Sequence, residues 1–178
     1  RDWSSDVCSS DLGNKARKLE FLLADALAGG ADCLVTGGGP QSNHARITAA
    51  AAASAGLDCH LALAGPVPEH TDGNLLLDHL LGATLHFEGA VDYYDIERDI
   101  ERVAARLTEE GRRPYAIPVG GASVIGAAAY ALAVDELHEQ VAELAAPPFD
   151  WIVVADGSGG TQAGLLAGLG GAATRVLG

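Results

Sequence analysis

Asp32-Cys33-Leu34-Val35-Thr36-Gly37-Gly38-Gly39-Pro40-Gln41-Ser42-Asn43-His44-Ala45-Arg46 is the stretch whose reading decides the fold. It opens with a short apolar run, breaks at three glycines and a proline, and passes into an alanine-rich segment that lasts until Gly56. The run has strand composition, Gly-Gly-Gly-Pro ends it, and Ser42 or Asn43 can cap the helix that follows. Strand, loop and helix in this order form the repeating unit of a parallel sheet covered on both faces.

The same alternation continues in both directions. Upstream, Leu19, Leu22, Leu23, Ala26 and Leu27 recur with helical spacing until Gly29-Gly30. Downstream come a strand from Cys59 to Ala64, a helix capped by Asp72 with Leu75, Leu76, Leu80 and Leu81 on its apolar side, and a strand from Ala83 to Phe87. A charge-dense helix follows, with Ile96, Ile100, Val103, Ala104 and Leu107 as its apolar stripe; its charges read as a solvated face. Next are a strand from Tyr115 to Val119, a helix from Val124 to about Leu144, a strand from Trp151 to Ala155 and a helix from Ala163 to Leu169. The chain is predicted to be α/β, with Pro147-Pro148 marking the passage between two sheets.

Composition narrows the function classes. With 11 basic against 24 acidic residues the net charge is −13, which opposes nucleic acid and anionic membranes. No apolar run approaches the roughly 20 residues of a membrane span. Cys8, Cys33 and Cys59 form no CxxC pair, so no zinc site is expected, and a reducing cytoplasm is the natural setting. Residues 1–12 are Ser/Asp-rich and aperiodic and read as a non-native leader. The closing Arg175-Val176-Leu177-Gly178 reads as the onset of another strand, so the chain is expected to be truncated at both ends.

Three segments carry chemistry. Lys15, Arg17 and Lys18 crowd the first turn of a helix, an unfavourable place for cations unless an anion sits there. Lys15 reads equally as a surface charge or as an amine able to form a Schiff base. Gln41-Ser42-Asn43-His44 follows a glycine-rich turn at the carboxyl end of a strand, where α/β sheets bind ligands and where backbone N–H groups suit a carboxylate. Helix capping and a solvated histidine are the plain alternatives. Gly157-Ser158-Gly159-Gly160-Thr161 can wrap an anion with backbone N–H groups and two hydroxyls, yet it is neither a Walker loop nor a GxGxxG turn. Ser123 reads as a cap, Tyr93 and Tyr94 as rim residues, and His60 and His86 as structural. An amine, a polar cradle and a phosphate cup together suggest pyridoxal phosphate.

GNKARKLE (13–20), GGGPQSNHAR (37–46), NLLLDHLLGA (74–83), IPVGGAS (117–123) and VVADGSGGTQAGL (153–165), in this order, resemble the pyridoxal-phosphate enzymes that include 1-aminocyclopropane-1-carboxylate (ACC) deaminase and D-cysteine desulfhydrase. The resemblance implies fold type II: two parallel-sheet, three-layer domains with the cofactor between them. Residues 33–121 would form the small domain, and 13–32 with 122–178 part of the large one. It implies that Lys15 carries the cofactor, that Asn43 contacts the pyridoxal ring oxygen, and that Ser42 is the catalytic serine. Gln41, Ser42, Asn43 and His44 would hold the substrate carboxylate, and Gly157, Ser158, Gly159, Gly160 and Thr161 the phosphate, with Lys18 as a further phosphate partner. His44 after the Ser-Asn pair resembles the desulfhydrase branch; ACC deaminases have glutamine there. The implied activity is D-cysteine α,β-elimination, with ACC deaminase and L-cysteate sulfo-lyase as alternatives within the family and a non-catalytic phosphate-binding module outside it. The implied assembly is a homodimer acting on a small amino acid.

Overall fold

A computed structural model describes residues 13–178; the leader reading and Cys8 lie outside the described residues. The elements are α1 (Lys15–Ala28), β1 (Cys33–Gly38), α2 (Asn43–Ala55), β2 (Asp58–Leu63), α3 (Gly73–Leu80), β3 (Thr84–His86), α4 (Tyr93–Glu109), β4 (Pro114–Ala116), a 3-10 turn (Val119–Gly121), α5 (Val124–Glu143), β5 (Trp151–Val153), α6 (Gly160–Leu169) and β6 (Arg175–Leu177).

The first four strands form a parallel sheet of order β3-β2-β1-β4, in which Cys33 lies opposite both Asp58 and Pro114. All six residues of β1 are buried, because this strand has helices on both sides. The period of two along the strands divides the core. Leu34, Cys59, Leu61 and Leu63 pack with Leu19 and Leu22 of α1 and Ala45, Ala49 and Ala52 of α2. Cys33, Val35 and Ala62 pack with Ile96, Ile100, Val103 and Leu107 of α4. The charge-dense α4 thus buries its predicted stripe, and Arg98 and Arg102 pair with Asp95 and Asp99 one turn back.

Several expectations shift: the strand expected from Trp151 to Ala155 ends at Val153, the helix expected from Ala163 starts at Gly160, and Leu76 and Leu80 of α3 are exposed. The strand expected from Tyr115 to Val119 ends at Ala116. Pro118 has no N–H to donate, and the chain folds into the 3-10 turn, with Gly120 at φ +68°. Asp72 stands at the N-cap of α3 without capping it. Its carboxylate instead accepts from Gln41 Nε2 at 3.2 Å.

β5 and β6 form a second, two-stranded parallel sheet. Ile152 and Val176 turn toward α5 and α6, where Val134, Leu165 and Leu169 form a small core. Trp151, Val153 and Leu177 lie exposed on the opposite face. α5 and α6 approach closely because α6 offers no side chain at the crossing. A Cβ at Gly164 would overlap Ala127 O and Tyr130 Cβ, and one at Gly168 would crowd Ala131 O. Among the described residues no helix is long and apolar enough to cross a membrane, and no group of three or more His, Cys, Asp or Glu could hold a metal.

Gly164→Val is therefore expected to force α5 and α6 apart and lower stability by about 3 kcal/mol. The urea midpoint measures this, and an unchanged midpoint would mean that the close crossing contributes nothing.

Candidate active site

Three segments distant in sequence converge at the start of α1. Asn14 joins them: its Nδ2 donates to Thr161 Oγ1 of α6 at 2.8 Å, its Oδ1 accepts from Lys15 Nζ at 2.6 Å, and its backbone carbonyl accepts from Tyr130 OH of α5 at 2.9 Å. One turn later Lys18 is 1% exposed, and its Nζ donates to Gly120 O at 3.3 Å. Glycine makes room for both amines. A Cβ at Gly120 would sit 3.3 Å from Lys15 Cε and 3.0 Å from Ser158 Oγ, and one at Gly160 would sit 2.9 Å from Lys18 Nζ. Lys15, Lys18, Ser158, Gly160 and Thr161, named separately from sequence, thus share one neighbourhood.

The electrostatics of that neighbourhood favour an anion. Burial lowers the Lys15 pKa, and Asp156 only partly offsets this. Lys18 is lowered to about 8, first by burial and then by the Lys15 charge, with Asp156 again opposing. The third cation of the turn is accounted for within the protein: Arg17 makes a forked ion pair with Glu136 of α5, at 2.6 and 2.8 Å. The sequence expectation of three cations awaiting an anion reduces to two. The loop before α6 is shaped by Asp156, whose Oδ1 accepts from Gly159 N–H at 2.9 Å, with Gly159 at φ +75°. No side chain caps α6. Its first N–H groups therefore have no partner within the helix and suit a phosphate. An amine with a lowered pKa beside an open anion cup fits the aldehyde and the phosphate of pyridoxal phosphate.

The start of α2 is built differently. Ser42 Oγ accepts from Ala45 N–H at 3.2 Å and caps the helix. Gln41 and Asn43 are exposed at this end and bond to Asn74 at the start of α3. His44 is not the solvated residue that the plain alternative offered: it is 5% exposed, with Nε2 2.9 Å from Thr36 Oγ1. The Thr36 hydroxyl donates its one hydrogen to Ile117 O at 2.8 Å, so His44 Nε2 carries the proton between ring and hydroxyl. Burial, followed by the Lys15 and Lys18 charges, lowers the His44 pKa to about 3. The ring stays neutral at ordinary pH, which leaves the backbone N–H of His44 as its means of meeting a carboxylate.

Elsewhere, Ser123 caps α5 by accepting from Gly126 N–H at 3.1 Å, and Tyr94 is exposed. His60 and His86 stack and share a hydrogen bond of 3.0 Å within the sheet. The sequence assigned no role to Tyr130 or Thr36, which look like ordinary helix and strand residues, and none to Asn74 beyond its place as the first residue of the motif NLLLDHLLGA.

The chain matches the family described as Pyridoxal-phosphate dependent enzyme over residues 10–178. It is 48% identical over 157 residues to a Pyrococcus horikoshii OT-3 protein provisionally named a 1-aminocyclopropane-1-carboxylate deaminase, covering 88% of this chain and 46% of that one. It is 45% identical over 162 residues to a D-cysteine desulfhydrase of Salmonella choleraesuis SC-B67, covering 88% and 48%. A crystal structure described as an ACC deaminase homologue superposes with a TM-score of 0.79 at 48% identity, covering 88% of this chain and 46% of that one. The chain spans about half the length of the curated relatives it matches.

The lowered Lys18 pKa has a thermodynamic consequence. Between about 8 and the ordinary 10.5 the unfolded chain holds a proton that the folded chain has lost, so stability rises with pH across that window. Lys18→Met removes this rise. Urea unfolding of both proteins at about pH 7 and about pH 10 is expected to show the unsubstituted protein gaining relative to the variant at the higher pH; a difference independent of pH would contradict the burial of an ionisable amine.

Proposed function

Because the chain belongs to the pyridoxal-phosphate dependent enzyme family, we propose that its protein is a D-cysteine desulfhydrase-like lyase, which removes the α-proton of a small amino acid and its β-thiol as sulfide, the remainder being hydrolysed by water to pyruvate and ammonia. The observation that carries the reading is the meeting of Lys15 and Lys18, both depressed by burial, with the uncapped start of α6. A plain phosphate cup needs no amine with a lowered pKa, which disfavours the non-catalytic binding module.

Lys15 would hold the cofactor aldehyde, Gly157–Thr161 with Lys18 the phosphate, and Asn43 the ring oxygen. When bound, pyridoxal phosphate supplies an electron sink for the bond broken at the substrate α-carbon. The Lys15 amine, whose hold on a proton is weakened by burial, would take the α-proton. N–H groups at the start of α2 hold the substrate carboxylate. The Ser42 hydroxyl supplies a polar group beside them. Residues 33–121 form the small domain and 13–32 with 122–178 part of the large one, with the cofactor between them. The protein works in the cytoplasm as a homodimer. The buried thiols of Cys33 and Cys59, pushed up to about 11 and 12 by desolvation first, are held unreactive and take no part in this chemistry.

ACC deaminase, giving 2-oxobutanoate and ammonia, is the second reading; the likeness to the Pyrococcus horikoshii protein favours it. L-cysteate sulfo-lyase belongs to the same branch as the desulfhydrase. His44 after Ser42-Asn43 supports the desulfhydrase.

In the full-length protein, borohydride reduction in the presence of pyridoxal phosphate followed by peptide mapping is expected to label Lys15. Lys15→Ala should lose both the label and at least about a hundredfold in turnover; retention of both would reassign the lysine. Ser42→Ala should cost about 1 kcal/mol of stability as a lost cap and lower kcat more than cofactor affinity. Turnover of D-cysteine against ACC by the same preparation decides between the two lyases.

A further inference from the structure

The starts of α2 and α3 lie side by side and are bound by a closed set of amide hydrogen bonds. Asn74 Nδ2 donates to Gln41 O at 2.8 Å and to Asn43 Oδ1 at 2.8 Å. In return Gln41 Oε1 accepts from Asn74 N–H at 2.9 Å, and Gln41 Nε2 reaches Asp72 Oδ1 at 3.2 Å and Asp72 O at 3.3 Å. Gly73, at φ +53°, closes the ring, since a Cβ there would run into Gln41 Oε1.

Chemistry fixes which way each amide points. The Gln41 backbone carbonyl can only accept, so the Asn74 atom beside it is the NH2 group. That same nitrogen faces the Asn43 side chain, so the Asn43 atom it meets is the oxygen. With its oxygen turned toward Asn74, Asn43 has its NH2 group turned away from that bond and available to a ligand.

We propose that Asn74 is a positioning residue that holds the Asn43 amide with its NH2 outward, so that Asn43 meets the cofactor ring as a hydrogen-bond donor to an anionic oxygen. The inference rests on the pyridoxal phosphate reading above and extends it to a residue outside the motifs that meet the cofactor. Asn74→Asp replaces the donor with an acceptor. The Asn43 amide then turns its NH2 toward the introduced carboxylate and its oxygen toward the ligand, where it repels the ring oxygen.

The test uses the full-length protein loaded with pyridoxal phosphate, reading the visible band of the bound cofactor. Cofactor affinity in Asn74→Asp is expected to fall roughly tenfold. A lost donor no longer favours the anionic oxygen, so the pH midpoint of the band should rise by about one unit. Asn43→Ala should raise the midpoint similarly, and Asn74→Asp added to Asn43→Ala should raise it no further. An unshifted midpoint in Asn74→Asp, or an equal added shift with and without Asn43, makes Asn74 scaffolding only and overturns the proposal. If Asn74→Asp does not fold, Asn74→Ala carries the same comparison, since it too releases the Asn43 amide. If the unsubstituted protein forms no borohydride-reducible adduct at Lys15, the cofactor reading itself fails and the role of Asn74 with it.

Discussion

A lysine amine withdrawn from water, with a second lysine one turn away, is the constraint around which the site is assembled. Lys18 is 1% exposed, and its Nζ has a backbone carbonyl, Gly120 O, as hydrogen-bond acceptor. Keeping it there requires chain with no side chain at Gly160, where a Cβ would lie 2.9 Å from the amine, and a helix held rigidly enough to deliver it. The forked Arg17–Glu136 pair fastens α1 to α5, and Asn14 fastens its first residue to α5 and α6 together. A net charge of −13 over the whole chain does little to soften this local repulsion, because the nearby carboxylate felt by both amines is that of Asp156. The protein is acidic outside and locally cationic where an anion would sit, a contrast that favours a specific anion over general attraction.

The second half of the site follows another logic. At the start of α2 the His44 ring is held neutral, and this end works through oriented dipoles. Its geometry comes from the short α3, whose first residues clasp Gln41 and Asn43. One side thus offers charge set by burial, and the other offers direction set by hydrogen bonds. A cofactor with an anionic tail and a ring carrying directional acceptors matches that division.

Much of the fold was legible because its elements keep their periods. Leu19, Leu22 and Ala26 of α1 and the stripe Ile96, Ile100, Val103 and Leu107 of α4 are buried where helical spacing puts them, although Leu27 at the end of the α1 stripe is exposed, and β1 is buried throughout. The motif segments were also legible, since lysine, amide and glycine types announce themselves locally. Interactions between segments were not. Nothing near Arg17 in sequence points to Glu136, which is 119 residues away. Asp72 looked like a cap because aspartate before a helix usually is one, yet a nearer donor, Gln41, took its carboxylate. β4 stopped short because an apolar run says nothing of where its hydrogen-bonding partner ends, and Pro118 could not continue the ladder. The glycines of α6 looked like poor helix formers, and only the backbone of α5 against them explains their presence.

Ser42 holds its helix with the same oxygen that would serve chemistry. A side chain at this position must place a small acceptor next to the Ala45 N–H, which limits it to serine and a few short polar residues. Gly38 tightens the limit, since even a methyl group added there would lie 2.6 Å from Ser42 Oγ. A change of side chain at this position would therefore be felt twice, in the helix it caps and in whatever chemistry its hydroxyl would serve.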